Sequence, residues 1–140
     1  MTQRVFFDTN VLIYEFDPRV PKKQRQARAL VREAVEAGTA VISNQVIQEF
    51  LNTMSTKFFT PLSPRDLRAY MVSKLWPMCQ VQPSPSLFAT ALSIRESTGY
   101  GFYDSMIVSA AMFADCPILY TEDLQDKRMI SGLEIRNPFL

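Results

Sequence analysis

Four carboxylates in this chain stand where side chains can do chemistry: Asp8, Glu49, Asp104 and Asp123. Each falls near a junction between an apolar, strand-like run and a helix, the place where open α/β sheets put their functional groups. The chain has no histidine. Serine–histidine and cysteine–histidine nucleophiles are therefore excluded, and so is histidine acid–base catalysis. Hydrolysis would have to run on carboxylates, lysine, tyrosine or a bound metal. Acids gathered at one rim repel each other unless a positive charge lies between them. An all-oxygen cluster suits Mg²⁺ or Mn²⁺ rather than zinc. Such an ion can activate water and stabilise a phosphodiester oxyanion.

The elements that must position these acids are legible in order. Val5-Phe6-Phe7 is β-branched or aromatic throughout and runs into Asp8 without polar alternation, as a strand buried on both faces does. Thr9-Asn10 can cap a short helix through Tyr14, broken by Pro18 and Pro21. Ala27, Leu30, Val31, Ala34 and Val35 keep helical spacing up to a stop at Gly38. The basic residues of that helix spread around it and read as a solvated face. Ala40-Val41-Ile42 is the second strand, and Ser43 caps a helix with Val46, Ile47, Phe50, Leu51 and Met54 as its stripe and Glu49 on its flank. A loop over Ser55 to Leu62 carries Phe58-Phe59. Ser63-Pro64-Arg65-Asp66 starts a helix ending at Trp76-Pro77. Both Phe58-Phe59 and the Ser63–Trp76 helix are candidate partner surfaces.

Cys79 to Gln82 reads as a third strand, followed by a turn and a helix ending near Gly99. Asp104 opens a helix through Phe113 that is apolar almost all round and is expected to be central and buried. Pro117 to Tyr120 is a fourth strand delivering Thr121-Glu122-Asp123, and Leu133 to Arg136 is a fifth, at an edge. Strands alternating with helices imply parallel βαβ units. The expected architecture is a three-layer α/β/α sandwich with a central parallel sheet of four or five strands, in one domain over residues 1–140.

A net charge of +1 gives no global field for nucleic acid or membrane. The two cysteines form no CxxC pair and read as core residues in a reducing compartment. No signal peptide precedes the first strand and no apolar run is long enough to span a bilayer, so a soluble cytoplasmic protein is expected. Taken singly, Asp8, Asp104 and Asp123 are each explained as helix caps, and Glu49 as a solvated helix residue. Their joint placement at one rim is what favours a metal site.

The chain resembles the PIN-domain ribonucleases over essentially its whole length, and most closely the VapC-like toxins of type II toxin–antitoxin pairs. The resemblance rests on the opening strand with Asp8-Thr9-Asn10, on Gln48-Glu49-Phe50, on Tyr103-Asp104-Ser105-Met106-Ile107-Val108, and on Leu119 to Asp126. It implies that Asp8, Glu49, Asp104 and Asp123 form the catalytic acidic site, with Asp8, Asp104 and Asp123 as metal ligands and Asn10 and Thr121 as polar supports. Asp126, three residues past Asp123, is the alternative fourth acid. The resemblance further implies RNA cleavage, a homodimer and a cognate antitoxin protein. A silent interaction domain of the same fold is the rival reading, as is a phosphotransfer domain on a similar sheet. Against phosphotransfer, Asn10 stands where a haloacid-dehalogenase-like motif needs its second acid, and no adjacent acids follow the first strand. Glycine-rich dinucleotide and Walker loops are absent from the sequence.

Overall fold

The computed structural model describes residues 3–57 and 62–140. The pair Phe58-Phe59 lies outside the described residues. Strand β1 (Val5–Phe7) is followed by α1 (Thr9–Tyr14) and α2 (Pro21–Ala37), then β2 (Ala40–Ser43) and α3 (Asn44–Asn52). Next come α4 (Pro64–Tyr70), α5 (Trp76–Met78), β3 (Cys79–Val81), α6 (Pro85–Thr98) and α7 (Phe102–Phe113). The chain closes with β4 (Ile118–Tyr120), β5 (Met129–Ile130) and β6 (Leu133–Arg136). These form a three-layer α/β/α arrangement, a mostly parallel sheet flanked by helices, in the order β3-β2-β1-β4-β6-β5.

β1 is central, pairing in parallel with β2 (Val5 with Ala40) and with β4 (Val5 with Ile118). Phe6 and Phe7 are fully buried on opposite faces. Truncating either to alanine would cost about 3–5 kcal/mol. From β1 the chain crosses to β2 on one side, whereas β4 leads to β6 on the other. The carboxyl ends of β1 and β4 thus flank a topological switch point, the crevice where ligands bind in open α/β sheets.

Among the described residues the parallel part of the sheet has five strands, as expected, and a sixth, antiparallel strand extends it. Leu133–Arg136 is not an edge: it pairs in parallel with β4, and β5 covers its outer side in antiparallel fashion. The hairpin turn between them is Ser131-Gly132, both with positive φ (47° and 86°), as a two-residue type I′ turn requires. The helix begun at Ser63 does not stop at Trp76-Pro77. It passes through a π-helical turn over Met71–Leu75 into α5, which contains Pro77 and ends at Met78. Val72 and Trp76 are exposed along it. Nor is the segment after α3 a loop from Ser55 onward, because a π-helical turn runs over Thr53–Lys57.

Caps follow the sequence closely. Ser43 and Ser63 accept from Val46 and Asp66 backbone N–H groups, and Gly38 and Gly99 end α2 and α6 in the left-handed region. α7 buries Ser105 to Ala111 and is tied to α6 by the Ser109 hydroxyl, which donates to the Leu87 carbonyl at 2.9 Å.

Candidate functional site

Asp8 is the first residue past β1. Its backbone N–H still joins the ladder to Tyr120, while its carboxylate caps α1. The cap of α1 is therefore Asp8, one residue before the Thr9-Asn10 pair suggested by sequence. One Asp8 oxygen accepts from the Thr9 N–H at 2.7 Å, and the other from the Thr121 hydroxyl at 2.8 Å. Thr9 is thereby released to reach across to α3, its hydroxyl donating to Glu49 Oε1 at 2.7 Å. The second Glu49 oxygen accepts from the Gln45 amide at 3.3 Å.

After β4 the chain turns on Thr121, whose buried hydroxyl also accepts from the Asp123 N–H at 3.1 Å. Asn10, on the first turn of α1, donates to Asp123 Oδ2 at 3.0 Å and accepts from the Glu122 N–H at 3.3 Å. Asn10 and Thr121 thus pin the β4 turn to the start of α1. Glu122, between Thr121 and Asp123, is directed elsewhere, accepting from Tyr14 and Lys23 at 2.5 Å each. Asp104 lies in the first turn of α7, where a negative charge suits the helix dipole.

A cavity of about 580 Å³ brings Asp8, Glu49, Asp104 and Asp123 onto one surface, with Thr9, Asn10 and Gln45 among its walls. Asp126 is elsewhere: its carboxylate accepts the Asn137 N–H at 2.8 Å, on the β6 side. Thr9 and Gln45 join the expected acids as site residues; Gln45, one helical turn before Glu49, shares its edge of α3.

Burial pushes the Asp8 carboxyl up from its ordinary 3.8 to about 7, against the hydrogen bonds from Thr121 and Thr9 and with added repulsion from Asp123 and Glu49. Asp104 is raised too, by burial first and then by Asp123 and Glu49. Asp8 and Asp104 are thus both raised by the same two neighbours, Asp123 and Glu49. Among the described residues, no three acid, histidine or cysteine side chains are grouped closely enough to hold a metal ion as they stand. Asp8, Glu49 and Asp123 have oxygens turned onto hydrogen-bond donors, whereas among the described residues no side-chain hydrogen bond reaches Asp104. The donor set nonetheless fits a hard divalent cation: the charged groups that act on Asp8 are the carboxylates of Asp123 and Glu49, and a cation would relieve its burial and their repulsion.

A family model described as PIN domain matches residues 5–129. Among solved structures, the chain is similar to one titled a toxin–antitoxin complex from Klebsiella pneumoniae, at 20% identity and a TM-score of 0.68, covering 96% of this chain and 97% of that one. It is also similar to FitAcB from Neisseria gonorrhoeae, at 15% identity and a TM-score of 0.66 over 96% of this chain and 98% of that one. A third likeness is to FitAB bound to an IR36 DNA fragment, at 15% identity, a TM-score of 0.69, and 97% and 96% coverage. At these identities the likeness establishes a shared fold. No curated protein matches.

Proposed function

This chain belongs to the PIN-domain family, in general a family of nucleases, and from that premise we propose that it is a Mg²⁺- or Mn²⁺-dependent endoribonuclease. The observation that carries the reading is the convergence of Asp8, Glu49, Asp104 and Asp123 on one cleft, with Asp8 buried and raised among the others. Asp8, Asp104 and Asp123 are assigned to hold the ion. Glu49, fixed by Thr9 and Gln45, is assigned to orient the attacking water. Asn10 and Thr121 keep Asp123 and Asp8 aimed at the cleft. When bound, the ion supplies Lewis acidity toward water and the phosphodiester. Asp126, engaged with Asn137, has no part in this assignment.

The whole of residues 1–140 is read as one nuclease domain, the toxin of a toxin–antitoxin pair acting as a homodimer in the cytoplasm. Likeness in fold to a toxin–antitoxin complex supports an antitoxin protein as partner. No helix among the described residues is long and apolar enough to cross a membrane. The test is cleavage of single-stranded RNA by purified protein with Mn²⁺, with Mg²⁺ and with EDTA. Cleavage is expected with either ion and none with EDTA. Full activity in EDTA would remove the mechanism, and no activity under any condition would leave a silent interaction domain.

A further inference from the structure

Beside the acid cleft lies a second recess of a different character. It measures about 260 Å³ and is walled by the start of α3, the end of β3, α6 and the first turns of α7. Among the described residues, no charged side chain lines it. Its polar walls include the carboxamides of Asn44, Gln45 and Gln48, and its aromatic walls are Phe88, Phe102 and Tyr103. These aromatics are not core residues: Phe88 is 42% exposed, Phe102 37% and Tyr103 68%. Phe102 and Tyr103 meet edge to face, with centroids 5.3 Å apart. Three aromatic rings held partly in water around one recess is an arrangement that marks a binding surface.

The two recesses are joined through one side chain and one stretch of backbone. Gln45 lines both, donating to Glu49 at 3.3 Å on the cleft side and to the Tyr103 carbonyl at 3.2 Å on the other. Phe102 and Tyr103 immediately precede Asp104 on α7, so stacking surface and acid are adjacent residues. A nucleotide divides chemically in the same way. Its phosphate is charged and seeks a cation; its base is flat, uncharged and edged with donors and acceptors. Carboxamides offer both donor and acceptor to such an edge, and aromatic faces stack on any base.

We infer that the recess is a subsite for one unpaired nucleobase of the RNA, belonging to a nucleotide whose phosphate lies in the acid cleft. This rests on reading the cleft as a ribonuclease site. Absence of charge in the recess favours a base over a basic or acidic peptide, and its small concave volume favours one base over a flat protein face. The inference gives the enzyme a physical means of preferring single-stranded RNA, since only an unpaired base can turn out of its stack into the recess.

The test is fluorescence titration of the protein, with Ca²⁺ filling the all-oxygen site and the RNA checked to be intact afterwards, with a short single-stranded oligoribonucleotide carrying 2-aminopurine walked through each position. At one position the wild type should quench the probe by stacking. Phe102→Ala should weaken binding of that oligonucleotide about tenfold, within what base–aromatic stacking contributes. Phe102→Trp should restore it. An abasic site at that position should bind wild type and Phe102→Ala alike. Should Phe102→Ala melt lower than the wild type, Phe88→Ala takes its place. No quenching at any position, or equal affinity of wild type and variant for the stacked probe, would overturn the subsite. Cleavage with Mn²⁺ but no such discrimination would leave the nuclease standing without it. Discrimination without cleavage under any metal would keep the subsite and sink the nuclease. If the wild type sediments as a dimer that Phe102→Ala dissociates with RNA affinity unchanged, this face binds a second copy and the subsite is overturned.

Discussion

The two ends of α1 hold two carboxylates in the same electrostatic difficulty and in opposite company. Asp8, at the amino end, is raised by burial to about 7; Glu15, at the carboxyl end, is raised by burial from 4.5 to about 8. Around Asp8 the charged neighbours are Asp123 and Glu49, which add to the strain. Around Glu15 they are Arg28 and Lys74, which relieve it. Asp8 has donors on both oxygens, whereas Glu15 Oε1 is buried with no hydrogen-bond partner among the described residues, beside a cavity of about 340 Å³. Burial alone therefore does not make a site. A strained acid among bases is an interior charge partly compensated by its own protein. A strained acid among acids is compensated only by something that arrives.

The largest effect that could break this comparison is on catalysis. Asp8→Asn and Asp104→Asn should each lower Mn²⁺-dependent RNA cleavage by several orders of magnitude, and Glu15→Gln should leave it near the wild-type rate. More than about a tenth of the activity in either folded aspartate variant corresponds to only ~1.4 kcal/mol of barrier and would remove that residue from the site.

Next in size is a pH effect that Glu15→Gln isolates at the carboxyl end of α1. An acid whose folded pKa is raised binds more protons folded than unfolded. It weakens the fold as pH rises from its ordinary value to its folded one. For Glu15 that window is pH 4.5 to about 8. Each unit of the shift corresponds to about 1.4 kcal/mol, so the full span is a few kcal/mol. In urea unfolding with EDTA, Glu15→Gln should match the wild type most closely below pH 4.5 and exceed it increasingly up to pH 8. Asp8 adds a parallel decline between pH 3.8 and about 7 in both proteins, and it cancels in the difference. A difference that stays constant with pH would mean Glu15 is already compensated.

Metal should then separate the two ends. An ion that binds only the folded state stabilises it by roughly 2.7 kcal/mol at a hundredfold excess over Kd. Mn²⁺ should raise the melting temperature of the wild type and of Glu15→Gln alike. Asp104→Asn removes one repelling charge and one donor together, so it should melt above wild type in EDTA yet gain less from Mn²⁺. If it melts lower in EDTA and keeps the full Mn²⁺ gain, Asp104 serves only the α7 dipole.

Much of this was readable before the structure, for reasons specific to each residue. The strand before Asp8 announced itself because both its faces are buried, so no polar residue interrupts Val5-Phe6-Phe7. Ser43, Ser63, Gly38 and Gly99 are local signals, and local signals survive tertiary context. β5 was missed because two residues carry no period; the Ser131-Gly132 turn was its only short-range mark. Glu15 was missed because nothing in sequence marks a charge at the end of a six-residue helix as buried. The Thr9–Glu49 bond spans forty residues, and only the fold brings its partners together.

The smallest effect concerns which acid closes the cleft on the β4 side. Asp123 faces the cavity and is steadied by Asn10, while Asp126, one turn along, accepts the Asn137 N–H. Asp123→Asn keeps an oxygen for the Asn10 amide but removes the charge, so it should weaken Mn²⁺ binding about tenfold, a loss of ~1.4 kcal/mol. Asp126→Asn retains an acceptor for Asn137 and should leave Mn²⁺ affinity unchanged. Asp126→Ala deletes that hydrogen bond and should lower stability by about 1 kcal/mol, again without touching metal affinity. Calorimetric titration of the three variants with Mn²⁺, alongside urea unfolding, reads both quantities. A loss of affinity that follows Asp126 instead of Asp123 would move the ligand three residues along the chain. It would also mean that the β4 turn rearranges when the ion binds.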